Sequence, residues 1–143
     1  MKASTQVSGV AEVQASLDAI ARKYGQAVAD AALAGGNLVR TSAIKSIQEV
    51  SSGHIVTRTR EGGETYEHMA SKPGDAPNTD TDRLVGSIQV DGDGKDIKVG
   101  TPLDYGKDLE TGTARMKARP WLYPALERRR AQIKQLFRKA VGK

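Results

Sequence analysis

The chain has 143 residues, 38% of them apolar and 27% charged, with no cysteine and a formal net charge of +5. That length suits one globular domain with a core of its own, and the missing cysteines exclude a disulfide framework, a thiolate zinc site and a cysteine nucleophile. No window approaches the roughly 20 apolar residues that span a bilayer, and the start MKASTQVSG lacks the apolar core of a signal peptide, so a cytoplasmic product is expected.

From Val10 onward, Val13, Leu17, Ile20, Tyr24, Val28 and Ala31 recur every three or four positions, the spacing that gathers them on one helix face. Ser8 is the expected N-cap. Ala-rich sequence carries the helix to Gly35-Gly36, where each glycine costs about 1 kcal/mol relative to alanine, so a bend or a close packing contact is expected. The period resumes through Leu38, Ile44 and Ile47, and residues 10–50 read as one long or hinged helical element that Ser51-Ser52-Gly53 ends.

The period then changes. Residues 54–58 and 65–69 are β-branched or aromatic runs flanking Glu61-Gly62-Gly63-Glu64, a hairpin signature. Residues 71–82 (SKPGDAPNTDTD) hold two prolines and four Asp or Asn with no apolar period, which reads as an exposed loop dispensable to the fold. Leu84 to Val90 and Ile97 to Val99 alternate around Asp91-Gly92-Asp93-Gly94 and predict a second hairpin. A short helical turn follows from Leu103 to Glu110, stopped by Thr111-Gly112. The last helix is expected over 119–141, with Pro120 in its first turn and Leu122, Ala125, Leu126, Ile133, Leu136, Phe137 and Ala140 as its apolar stripe. Together these elements predict a single α+β domain, its long N-terminal helix and C-terminal helix packed on a four-stranded antiparallel sheet formed by the two hairpins.

Chemistry finds little support in the residue types. The aspartates of DGDGKD do not fit a calcium loop, because a 12-residue frame begun at Asp91 puts Lys95, Asp96 and Pro102 where ligand, glycine and glutamate belong. Neither phosphate-binding glycine motif occurs, and no GxSxG nucleophile motif is present. His54 and His68, one on each arm of the first hairpin, are the sole candidates for a general acid–base pair of the ribonuclease kind. No catalytic residue, metal ligand or cofactor site is assigned.

Charge is unevenly spread: residues 1–70 are neutral, 71–113 carry −4 and 114–143 carry +9. Arg128, Arg129, Arg130 and Lys134 could neutralise phosphates, which keeps a small basic nucleic-acid-binding module as an alternative. Only Trp121 and Tyr123 are aromatics near that run, too few for a base-stacking platform.

The most distinctive stretch runs from Gly100 to Leu126. Its Tyr105-Gly-x-x-Leu-Glu-x-Gly-Thr and Ala118-Arg-Pro-Trp-Leu-x-Pro-Ala-Leu126 resemble the signature of the neck or tail-completion (head–tail joining) proteins of long-tailed bacteriophages, first described as putative tail components. Upstream, Pro73-Gly-x-Ala-Pro77 and Thr81-Asp-Arg-Leu-x-x-Ser-Ile88 are similar to a second segment of that family, with Asp82 where glycine is usual. The resemblance implies a non-enzymatic virion protein at the head–tail junction, made in the host cytoplasm, without cofactor or membrane contact. It further implies a homo-oligomeric ring, six-fold or twelve-fold, docking on head-closure or connector proteins and on tail-terminator or tail-tube proteins, with non-specific contact to packaged DNA. Glu110, Arg115, Arg119 and Trp121 then become interface candidates together with Arg128, Arg129, Arg130 and Lys134, and Lys72, Pro73, Gly74, Asp75, Pro77 and Asn78 become a flexible docking loop. On chemistry alone, Glu110 is placed to meet the Arg115–Arg119 cluster of the same or a neighbouring subunit, and Arg119-Pro120-Trp121 to pin the last helix to the sheet.

Overall fold

The computed structural model describes residues 10–94 and 96–142, so the cap expected at Ser8 lies outside the described residues. Helix α1 runs from Val10 to Gln48 without a break at Gly35-Gly36. The glycine pair serves packing instead. A Cβ on Gly36 would stand 2.7 Å from Ile97 and 2.9 Å from Val90, and one on Gly35 would stand 3.4 Å from Ile133, so both neighbours come close to the bare backbone.

Two hairpins follow α1. Strands β1 (His54–Thr59) and β2 (Thr65–Ala70) pair antiparallel, with Ile55 opposite Met69 and Arg58 opposite Tyr66. The positive φ angles of Gly62 and Gly63 turn the chain between them. After the 71–82 segment comes a single helical turn, α2 (Arg83–Ser87), where strand had been expected from Leu84. Asp82, at φ 55°, is the one described non-glycine residue in the left-handed region, and it starts that turn. Strands β3 (Gln89–Gly92) and β4 (Ile97–Gly100) form the second antiparallel hairpin, with Val90 opposite Val99.

The expected four-stranded sheet does not form: the hairpins are separate two-stranded sheets. Only β3–β4 lies on α1, where Val90, Ile97 and Val99 surround Gly36. The β1–β2 ribbon keeps five of six residues exposed on β1 and three of six on β2, and the 71–82 segment and α2 intervene in the chain between β2 and β3.

Helix α3 (Asp104–Thr111) matches the expected helical turn. Helix α4 spans Tyr123–Ala140 and so begins four residues later than expected, with Pro124 rather than Pro120 in its first turn. It runs antiparallel to α1, since Ile133 lies at Gly35 and the Arg128 Nε donates to Ser42 Oγ at 3.3 Å. The core is assembled from the C-terminal half of α1 (Val39, Ala43, Ile47), from Leu84 and Ile88 around α2, and from Trp121 and Ala125 at the start of α4. Along α1, by contrast, residues 11–26 are all exposed.

Candidate assembly interface

The two motif stretches, 105–113 and 118–126, fold into one corner. Helix α3 ends at Gly112, whose φ of 75° reverses the chain, and Thr113 and Met116 then exchange backbone hydrogen bonds across a tight turn. The reversal carries residues 118–123 back alongside α3, where Arg119 N–H donates to the Leu109 carbonyl at 2.7 Å. Glu110 thereby reaches the start of α4. Its Oε2 accepts the backbone N–H groups of Trp121 and Leu122 at 2.7 and 2.9 Å, and its Oε1 accepts that of Tyr123 at 2.8 Å. A carboxylate here satisfies donors that a helix start leaves without partners, and it complements the positive end of the helix dipole.

Within one chain, the partnership expected between Glu110 and the Arg115–Arg119 cluster is therefore corrected: Glu110 caps a helix. Arg119 turns away and donates from Nε to the Ser71 carbonyl at 3.1 Å, while Arg115 is exposed and accounts for no contact with Glu110. Trp121 is 2% exposed and donates from Nε1 to the Gly106 carbonyl at 2.9 Å, so the corner is pinned to α3 and not to a sheet. Gly106 is required at that point because a Cβ would lie 2.3 Å from Thr101 Cγ2.

The basic run on α4 is partly engaged within the chain. Arg128 bonds Ser42 of α1, Arg129 Nη1 donates to Gln132 at 2.9 Å, and Arg130 pairs with Glu127 one turn earlier on its own helix. Lys134 is exposed, and the buried Arg129 Nε has no hydrogen-bond partner among the described residues.

The 71–82 segment is tied down more firmly than a flexible loop. Lys72, Pro73, Gly74 and Asp75 are exposed, yet Gly74 N–H donates to the Ala118 carbonyl at 2.9 Å and Asp75 Oδ2 accepts from Ser51 Oγ at 2.5 Å. Pro77 is buried. Asn78 clamps the junction of helix and hairpin: its Nδ2 donates to the carbonyls of Ser51 and Met69, both at 2.8 Å, and its Oδ1 accepts Ser51 N–H at 2.8 Å.

One cluster had no sequence signal beyond strand alternation. Asp80 accepts the Tyr66 hydroxyl at 2.8 Å and pairs with Arg58 at 3.1 Å, His68 Nδ1 stands 3.6 Å away, and Arg60 lies over the Tyr66 ring. The hydrogen bond to Asp80 raises the Tyr66 phenol above its ordinary ionisation range, because it favours the neutral hydroxyl. This group fastens the β1–β2 ribbon to the 71–82 segment at the edge of a cleft of about 640 Å³ lined also by Leu84, Tyr105 and Met116. The two histidines do not face each other across the ribbon, since His54 is opposite Ala70 and His68 opposite Val56. Among the described residues, no three His, Asp or Glu side chains group as metal ligands, and no helix is long and apolar enough to cross a membrane.

No protein family, curated protein or solved structure was found to match the chain.

Proposed function

We propose that the chain is a structural protein of the head–tail junction of a long-tailed bacteriophage, which joins head to tail as a ring of identical subunits docked on neighbouring connector rings. The observation that carries this reading is the corner between α3 and α4. The two motifs that resemble those of neck and tail-completion proteins pack on each other there, and their charged and aromatic groups hold backbone: Glu110 on three N–H groups, Trp121 on Gly106 and Arg119 on Ser71. Such a site fixes the angle between helices and acts by binding, without bond chemistry. The charge asymmetry supports self-assembly, because a subunit with −4 in its middle and +9 at its end offers both signs to its neighbours.

The test is genetic and ultrastructural. A parent phage lacking this chain should accumulate filled heads and separate tails, and supplying the chain should restore joined particles. Joined, infectious particles in its absence would refute the proposal.

A further inference from the structure

The exposed N-terminal part of α1 is too apolar on one side to be left in water. Val13, Leu17, Ile20, Tyr24 and Ala27 are spaced four, three, four and three apart, the alternation of a coiled-coil seam. The four large side chains are 60, 57, 52 and 41% exposed. This stripe continues the face that α4 covers higher up the same helix. α4 ends at Ala140, roughly level with residues 28–30 of α1 as judged from the Gly35–Ile133 and Ser42–Arg128 contacts, and beyond that point the seam has no cover among the described residues.

We propose that the occupant of this seam is the same segment of a second copy of the chain, lying antiparallel to the first. Direction follows from α4. A second α1 running parallel would drive its continuation into the space that α4 occupies, because the helix is unbroken and the seam and α4 share one face. An antiparallel arm instead lies in line with α4 and keeps its body clear of the first. In that arrangement Leu17 of each copy faces Ile20 of the other and Val13 faces Tyr24, giving four apolar layers. Charge also matches: the first turn of the arm, with Glu12, approaches the last turn of α4, with Arg138 and Lys139, and opposite helix-dipole ends meet. Arms about 25 Å long bury roughly 1,000 Å² together, the size of a weak, reversible interface. The pairing rests on α1 and α4 alone and stands apart from the head–tail reading; either can fail without the other.

Sedimentation equilibrium of the full chain from about 1 to 100 µM should show monomer passing to dimer. Leu17→Glu with Ile20→Glu, both at exposed positions beyond α4, should weaken dimerisation at least 100-fold while the Trp121 fluorescence melt of dilute, monomeric protein stays unchanged. Register is read by cysteines introduced into a chain that has none. Val13→Cys and Tyr24→Cys proteins should crosslink when mixed and not separately, since same-numbered positions would lie about 16 Å apart along the axis. A monomer at 100 µM would overturn the proposal. So would a dimer that survives the double glutamate, or crosslinking of either cysteine protein by itself, which marks a parallel pair.

Discussion

Adjacent glycines in α1 should respond unequally to alanine. In a helix interior, Gly→Ala gains up to about 1 kcal/mol of propensity. At Gly35 the new methyl would touch Ile133 at 3.4 Å, an ordinary contact, so most of that gain should appear as added stability. At Gly36 it would fall 2.7 Å from Ile97 Cγ2 and 2.9 Å from Val90 Cγ1. Both are β-branched side chains with little freedom at χ1, and they sit on paired strands, so relief requires the whole β3–β4 hairpin to back away from the helix. Overpacking of this kind costs about 1–3 kcal/mol, which cancels or exceeds the propensity gain. Gly36→Ala should therefore fall about 1–3 kcal/mol below Gly35→Ala, and Gly36→Leu lower again. At roughly 4 °C per kcal/mol for a domain of this size, the two alanine variants should melt about 4–12 °C apart. The single tryptophan, Trp121, is buried in the core and reports the transition by fluorescence. Equal melting temperatures for the two variants would show that the hairpin is not seated on Gly36.

Glu110→Ala removes a carboxylate that accepts three N–H groups, and at about 1.5–3 kcal/mol for a bond to a charged group it should destabilise by at least about 2 kcal/mol in chemical denaturation, with Glu110→Gln intermediate. Asn78→Ala leaves Ser51 and Met69 backbone groups without their partner and should cost about 1–3 kcal/mol, and deleting residues 74–78 should abolish the soluble folded chain; a deletion that folds would mean the clamp is dispensable. Tyr66, whose neutral phenol is favoured by Asp80, contributes stability that is present below its unfolded value near pH 10 and lost as pH rises through its raised folded value. Tyrosinate absorbance, taken as the difference from Tyr66→Phe, should accordingly move to lower pH in Asp80→Asn. If subunits of a ring meet through oppositely charged faces, its mass should fall between 0.1 and 1 M salt as the Debye length shrinks from about 10 to 3 Å, and Arg128, Arg129 and Arg130 changed to Glu should act in the same direction; indifference to both would mean that apolar burial holds the ring.

Much of the local structure was legible because it is governed by neighbours in sequence. The three-to-four period over Val13 to Ile47 specified a helix, Glu61-Gly62-Gly63-Glu64 specified a reversal between strands, and Thr111-Gly112 specified the end of α3. What periodicity cannot carry is the identity of whatever lies across a face. The alternation that marked β2 and β3 as strands said nothing of whether they pair, and tertiary structure kept them apart by setting the 71–82 segment and α2 between them. Leu84 to Ser87 look extended by alternation, yet they form a helical turn because Asp82 adopts the left-handed conformation just before them and Leu84 enters the core. Glu110 invited an arginine partner by charge, but the chain reversal at Gly112 delivers three backbone donors to it first. The seam of α1 makes the same point from the other side. Its spacing marked one apolar face along the helix, and tertiary packing decided that Ala31 and Val39 are buried while Val13, Leu17 and Ile20 are left exposed among the described residues.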